Sequence, residues 1–216
     1  MRVIDLSHHQ NVTSYSKLDA WAEAFYIKVT QGSSYVDPEW EQHYNGLRKP
    51  KAPYHFMGIR EDWSKQVRHF LATINKKAWQ WPHVLDAEYD SRYQEGDPTS
   101  VDIKGWIREW RKQTGRYLIY VYLGRETWRT VAPPREWADS GTRIIGARYY
   151  RNNYDTAFQD FGFTDPNLDG IQYWNQGSVP GISNYVDLNN FKRIVTDNPV
   201  GPSKKSSILL TGAINA

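Results

Sequence analysis

Short apolar runs recur along the chain at 3–7 (VIDLS), 25–30 (FYIKVT), 52–57 (APYHFM), 83–89 (HVLDAEY), 117–123 (YLIYVYL), 143–149 (RIIGARY), 171–176 (IQYWNQ) and 185–189 (YVDLN). Their length and their β-branched and aromatic content predict strands. Between the earlier runs the apolar spacing changes to the helical period. Asp37-Pro38 opens a helix over 38–48, Glu61-Asp62 opens 62–77, and Asp97-Pro98-Thr99 opens 99–114, which Gly115 ends. Trp63, Val67, Phe70, Leu71 and Ile74, like Trp106, Ile107 and Trp110, form helix faces that pack on a sheet.

Alternation of strand and helix argues for parallel βαβ units, and eight strands are the number that closes a (β/α) barrel. The later connections are thinner: 125–138 is broken by Pro133-Pro134, 155–165 is barely helical, and 177–184 is a Gly/Pro loop. The expected fold is therefore α/β, a (β/α) barrel of eight strands with an incomplete, flattened outer helical ring. An open doubly wound sheet is the alternative, but Ser7-His8-His9-Gln10 stands after the first strand where that fold would carry a Gly-rich phosphate loop. The barrel is expected to occupy 1–198. Residues 199–216, rich in Gly, Pro, Ser and Lys and then apolar at Ile208-Leu209-Leu210, are read as a flexible appendage.

Side-chain parity along the strands locates the chemistry. Asp86 and Glu88 share one strand face while Leu85 and Ala87 share the other, and in a barrel the aliphatic set meets the helices, so both acids point inward near the catalytic end. By the same parity Val3, Asp5 and Ser7 face in from the first strand, and Tyr185, Asp187 and Asn189 from the last. Closure makes these two strands neighbours, so Asp5, Asp86, Glu88 and Asp187 converge. Crowded carboxyl groups cannot all ionise, and at least one pKa should rise into the range of a general acid, with Glu88, nearer the mouth, as the candidate. Lys28, Thr30 and Tyr26 share one face and Gln172 and Trp174 another, giving polar groups and a ring suited to a sugar. Arg148 is placed as a partner for one of the acids or as a substrate contact. His8, His9, His55 and His83 raise the question of a metal site, but no H-x-H or H-E-x-x-H spacing is present and no metal is expected.

Composition narrows the classes further. The 216 residues include no Cys, which excludes disulfide scaffolds and thiolate chemistry. A net charge of +3 is too small for a dedicated nucleic-acid binder. No segment approaches the roughly 20 apolar residues of a membrane span, and Met1–Asp5 has no signal-type apolar stretch, so cytoplasmic synthesis without stable membrane insertion is expected. The 15% aromatic content, with 10 Trp and 15 Tyr, is shared between two readings, core packing and a glycan-gripping groove.

Taken together, the motifs resemble glycoside hydrolase family 25, the Chalaropsis-type lysozymes that include phage endolysin muramidases, over about residues 3–191. Ile4-Asp5-Leu6-Ser7-His8-His9-Gln10 is similar to the family's D-x-S-x-x-Q opening. Ile27-Lys28-Val29-Thr30-Gln31-Gly32 with Tyr35-Val36-Asp37-Pro38 resembles its K-A-T-E-G and Y-x-D-P. Ala52-Pro53-Tyr54-His55-Phe56 looks like A-Y-H-F, and Leu85-Asp86-Ala87-Glu88 matches D-x-E. Gln172-Tyr173-Trp174, Val179-Pro180-Gly181-Ile182 and Val186-Asp187-Leu188-Asn189 match its closing segments. Departures are Gln31 where Glu is usual, Ile171 where Trp is usual, and a sixth strand without the common L-W-I-A-x-Y form.

The resemblance implies a cofactor-free N-acetylmuramidase that cleaves the β-1,4 bond between N-acetylmuramic acid and N-acetylglucosamine in bacterial cell-wall peptidoglycan. Glu88 would be the proton donor, with Asp86, Asp5 and Asp187 completing the catalytic group. Lys28, Tyr54, His55, Tyr122, Arg148, Gln172 and Trp174 are the expected substrate contacts. A retaining reaction assisted by the substrate acetamido group is favoured over direct attack by an Asp. The chain is expected to be a monomeric phage endolysin reaching the wall after release from the host cytoplasm; the alternative is an inactive barrel that binds glycan as a lectin.

Overall fold

The computed structural model describes residues 1–75, 77–89 and 96–193. Among them nine strands form one sheet: β1 (Arg2–Leu6), β2 (Ala24–Gln31), β3 (Tyr35–Val36), β4 (Lys51–Phe56), β5 (Val84–Asp86), β6 (Ile119–Gly124), β7 (Thr142–Ala147), β8 (Leu168–Gly177) and β9 (Val186–Phe191). Their order is β1-β9-β8-β7-β6-β5-β4-β2-β3, and β1 also pairs with β2, so the strands other than β3 close an eight-stranded barrel. β3 is a hairpin flap that pairs antiparallel with β2.

All eight predicted runs are strands of this barrel. One feature departs from uniform βαβ winding: β9 is antiparallel to both β8 and β1. The connection from β8 is too short for the dozen or more residues that a parallel crossover requires, so the chain turns back on itself. The N-terminal end of β9 thereby lies at the rim where the parallel strands have their C-terminal ends.

The helices are α1 (Tyr15–Trp21), α2 (Trp40–Gly46), α3 (Trp63–Ile74), α4 (Ser100–Thr114) and α5 (Ala157–Phe161). The Asp62 side chain caps α3 by accepting from the Lys65 amide. Thr99 and Asp102 form a capping box at the start of α4, and Gly115 ends it in the left-handed conformation at φ 67°. α1 was absent from the sequence expectation: it has seven residues and a single buried one, Leu18, too little for a periodic pattern. Past β6 the outer ring thins to a π-helical turn at Thr127–Val131, a 3-10 turn at Pro134–Glu136 and the five-residue α5. The incomplete ring expected from the sequence is thus present. No helix among the described residues is long and apolar enough to cross a membrane. The boundary expected at 198 and the 199–216 tail lie outside the described residues.

The core has two layers. Outside the barrel, Ile4, Leu6, Ile27, Leu85 and Ala87 pack with Val67, Phe70, Trp106 and Trp110 from α3 and α4. Inside, Val3, Ala24, Tyr26, Trp81, Tyr120 and Phe191 fill the lower part. The Phe191 ring centroid lies 5.7 Å from that of Tyr26, 6.3 Å from Tyr120 and 6.5 Å from Trp81. These rings form a rigid floor under the polar mouth.

Phe191→Ala is expected to cost about 3–5 kcal/mol, because the ring is enclosed and rigid walls relax little into the void. Urea unfolding checks this, and a loss below about 1 kcal/mol would show that the floor repacks.

Candidate active site

The acids converge as parity dictates. Asp5 from β1, Asp86 from β5, Glu88 just beyond it and Asp187 from β9 line one cleft at the barrel mouth, together with Tyr54, Tyr122 and Gln172. The cleft spans about 480 Å³, part of it open to solvent. Val84 and Ile145 form its apolar floor, and Tyr26 links it to the rings beneath.

Hydrogen bonds organise one side of the cleft. Asp5 Oδ2 accepts from Gln172 Nε2 at 2.9 Å and from Asn189 Nδ2 at 2.8 Å. Gln172 Oε1 accepts the Tyr122 hydroxyl at 2.8 Å and also the Tyr149 hydroxyl, and the two phenol oxygens are 3.1 Å apart. On the other side Asp86 Oδ1 is buried with no hydrogen-bond partner among the described residues.

Burial governs the ionisation here. It raises the Asp5 carboxyl above its ordinary range, against the opposing effect of the two amide donors and Asp187. Asp187 is pushed up to about 9 by burial, then by the charge of Asp5 and by a hydrogen bond that leaves the proton on Asp187, with Glu88 adding to it. Asp86 is pushed well above the carboxylate range by burial and by Glu88, and the Lys28 charge only partly offsets this. Raised carboxyls are thus found on Asp86, Asp5 and Asp187, by burial first, with crowding by like charges adding to it at Asp86 and Asp187 but not at Asp5.

Four of the expected contact residues, and Thr30, lie elsewhere. His55 is fully buried between barrel and helices, with Nδ1 2.8 Å from Thr30 Oγ1, Nε2 3.1 Å from Gln66 Oε1 and its ring stacked 5.4 Å from Trp106. Its pKa falls to about 3 through burial, so it is neutral. Tyr54 faces in, and its immediate neighbour must face out. Thr30 is carried to the His55 side by a register shift in β2 between Lys28 and Thr30. Lys28 donates to Gln31 Oε1 at 2.9 Å, packs over the Phe56 ring and lines a second cavity with His8, Gln31 and Tyr35, and its charge acts on Asp86.

Arg148 points to the outer layer, where its guanidinium donates to the Asp160 carbonyl and lies 4.6 Å from the Tyr150 ring. A register shift in β8 sets Trp174 opposite Leu188, half-buried against the outer cluster. Ser7 is bonded to Gln10 rather than lining the cleft, and Tyr185, just before β9, is exposed.

Two lining residues were not singled out as site residues beforehand, Tyr149 and Asn189. The alternation that brings Ala147 inward carries on to Tyr149, and Asn189 has the parity of Asp187. Among the described residues no three His, Asp or Glu side chains are grouped as metal ligands. His8 pairs with Asp37, His43 with Tyr15, and His83 accepts from Trp110.

Known proteins share this architecture. An autolytic lysozyme of Clostridium acetobutylicum is 23% identical over 206 residues, covering 88% of this chain and 56% of its own length, so the chain spans little more than half of that relative. The bacterial lysozyme of Streptomyces coelicolor superposes with a TM-score of 0.71 at 20% identity, covering 90% of this chain and 93% of that one. The catalytic domain of endolysin ply40 from bacteriophage P40 of Listeria monocytogenes gives 0.69 at 22% identity, covering 88% and 92%. At these identities the superpositions establish the fold; descent is carried by the sequence itself, whose residues 4–182 match the sequence model of glycosyl hydrolases family 25, and the chain belongs to that family.

Proposed function

We propose that this protein is a muramidase that hydrolyses the β-1,4 bond between N-acetylmuramic acid and N-acetylglucosamine in peptidoglycan. The observation that carries the reading is the buried, unpartnered Asp86 Oδ1 in the same cleft as Glu88. A buried acceptor lacking a donor is costly, and the amide N–H of a 2-acetamido sugar is a donor of the required reach.

In this reading Asp86 and Glu88, two positions apart on one strand face, share a proton. In the empty cleft burial and the Glu88 charge favour protonated Asp86. An acetamido N–H docked on Asp86 Oδ1 favours the ionised Asp86 and drives the proton to Glu88, so substrate binding arms the general acid. Glu88 then protonates the glycosidic oxygen as the C1–O bond breaks, while the acetamido carbonyl oxygen attacks C1 and forms an oxazolinium ring. Asp86 holds the amide nitrogen and offsets its positive charge. The Glu88 carboxylate next removes a proton from water, whose oxygen adds to C1 and opens the ring, regenerating the acid with retention of configuration. Asp5 and Asp187 set the charge beneath the ring, and Tyr54, Tyr122 and Gln172 bound the sugar. Action at the bacterial cell wall as a phage endolysin is part of this reading, supported by the fold shared with the ply40 catalytic domain.

Glu88→Gln keeps size and polarity but cannot deliver a proton. Its rate of clearing purified peptidoglycan is expected to fall by about 10²–10⁴-fold while binding of N-acetylglucosamine oligomers persists. The parent should release products with muramic acid at the new reducing ends. Undiminished clearing by the variant would remove Glu88 from its role, and binding without any parental hydrolysis would leave a lectin.

Asp187 generates a stability prediction. Its folded-state value of about 9 exceeds the ordinary 3.8, so the native protein retains a proton that the unfolded chain releases, and stability falls as pH rises between those values. Asp187→Asn cannot ionise. It is expected to melt several degrees above the parent at pH 8, with the advantage gone near pH 3, below both values. Parallel melting curves at all pH values would contradict the buried, protonated Asp187.

A further inference from the structure

We propose that Tyr149 is a positioning residue: with Tyr122 it locks the Gln172 amide so that Asp5 is the ionised member, and Asp187 the proton-bearing member, of their pair. This rests on the muramidase reading for its catalytic consequence but on hydrogen-bond geometry for the arrangement itself.

A side-chain amide next to a carboxylate can present either end. At Gln172 the amide is held from both ends: the acceptor Asp5 takes Nε2–H, and both the Tyr122 and Tyr149 hydroxyls donate to Oε1. Flipping the amide would replace the Nε2–H bond to Asp5 by repulsion between its carbonyl and the carboxylate, and would force both phenol hydrogens to turn away from Gln172. Nε2 is therefore held on Asp5 Oδ2 at 2.9 Å. Asn189 Nδ2 meets the same oxygen at 2.8 Å and is itself tied to the Val3 carbonyl at 3.3 Å. Two amide donors on one carboxyl oxygen favour the ionised form of Asp5, which places the pair's proton on Asp187. A fixed anion under the sugar opposes positive charge that develops at C1.

The other groups facing the pair do not oppose this choice. Tyr26 from β2 and Tyr54 from β4 are neutral, held far above their ordinary range by burial. Glu88, just beyond β5, raises Asp187, which favours the proton there, while Asp5, Asp187 and Lys28 of β2 act on Asp86. Gln172 of β8 and Asn189 of β9 donate to Asp5, and the phenols of Tyr122 on β6 and Tyr149 after β7 hold Gln172. Tyr149 is 45% exposed at the lip, so removal of its hydroxyl leaves no void in the core.

The test is Tyr149→Phe and Gln172→Glu, each followed by carboxyl titration of ¹³C-aspartate-labelled protein and by the pH profile of peptidoglycan clearing. The expected result is an upward move of the Asp5 midpoint by about one pH unit in Tyr149→Phe and by more in Gln172→Glu. The acidic limb of kcat/KM should move with it, and kcat should fall with KM little changed. Midpoints and limb identical to the parent in Tyr149→Phe, whether or not the overall rate drops, would overturn the proposal. The titration needs no activity: shifted midpoints in a protein that never clears the wall would uphold the arrangement and sink the muramidase reading. Should Gln172→Glu fail to fold, the lip variant decides alone.

Discussion

Closure of the sheet by a strand of reversed direction is the constraint on which the rest depends. β9 lies between β8 and β1 antiparallel to both, and that orientation puts its first residues, not its last, at the mouth. Asp187 therefore stands beside Asp5, while Phe191 reaches the floor. A parallel β9 would exchange these ends and put an aromatic ring among the acids. The barrel treats carboxylates differently at its two ends. At the foot, Asp169 is held by Arg143 and, at 3.0 Å, by Arg193, with the Tyr120 hydroxyl at 3.1 Å. At the mouth the compensation comes mainly from retained protons and amide donors, which leaves groups able to exchange protons near neutral pH.

The aromatic content is accounted for by packing rather than by a sugar platform. Trp40, Trp81, Trp106, Trp110, Trp128 and Trp137 are all buried. Where the helical ring is missing, rings replace it: Trp128 lies 5.3 Å from Phe161 and is stacked 5.8 Å from Phe163, covering the barrel wall that a longer helix would otherwise cover. Gly146 of β7 makes this possible, because a Cβ there would fall 2.5 Å from the Phe161 ring. At the cleft, tyrosines serve through their hydroxyls, which turn amides rather than simply offering a flat face.

Alternation along strands was enough to read the eight barrel strands and the four convergent acids from the sequence, because both depend only on a period of two and on ring closure. The same rule, applied strictly, also excludes some residues. Tyr54 and His55 are adjacent and cannot both face inward, and Arg148 follows an inward Ala147. Thr30 and Trp174 are a different matter: register shifts in β2 and β8 break the alternation, and nothing in the residue types around them marks the place. Family resemblance carried the reaction class, since no spacing of carboxylates by itself names a substrate. The direction of β9 was half legible, in that the Gly/Pro segment 177–184 is too short to cross over.

Unequal provision of donors divides the four acids into a static pair and a responsive one. Asp5 is clamped by two amides on one oxygen, so the proton it shares with Asp187 has a fixed address. Asp86 has no such clamp on Oδ1, and its neighbour on the strand face is Glu88. A general acid must give up and regain its proton in every turnover, and a group whose ionisation is locked by surrounding amides resists that change. In the proposed mechanism the acid–base role falls to Asp86 and Glu88, at and just beyond the end of β5. In that mechanism the pair on β1 and β9 supplies a constant field, and the donor that Asp86 Oδ1 lacks comes with the substrate, which thereby decides where the proton goes.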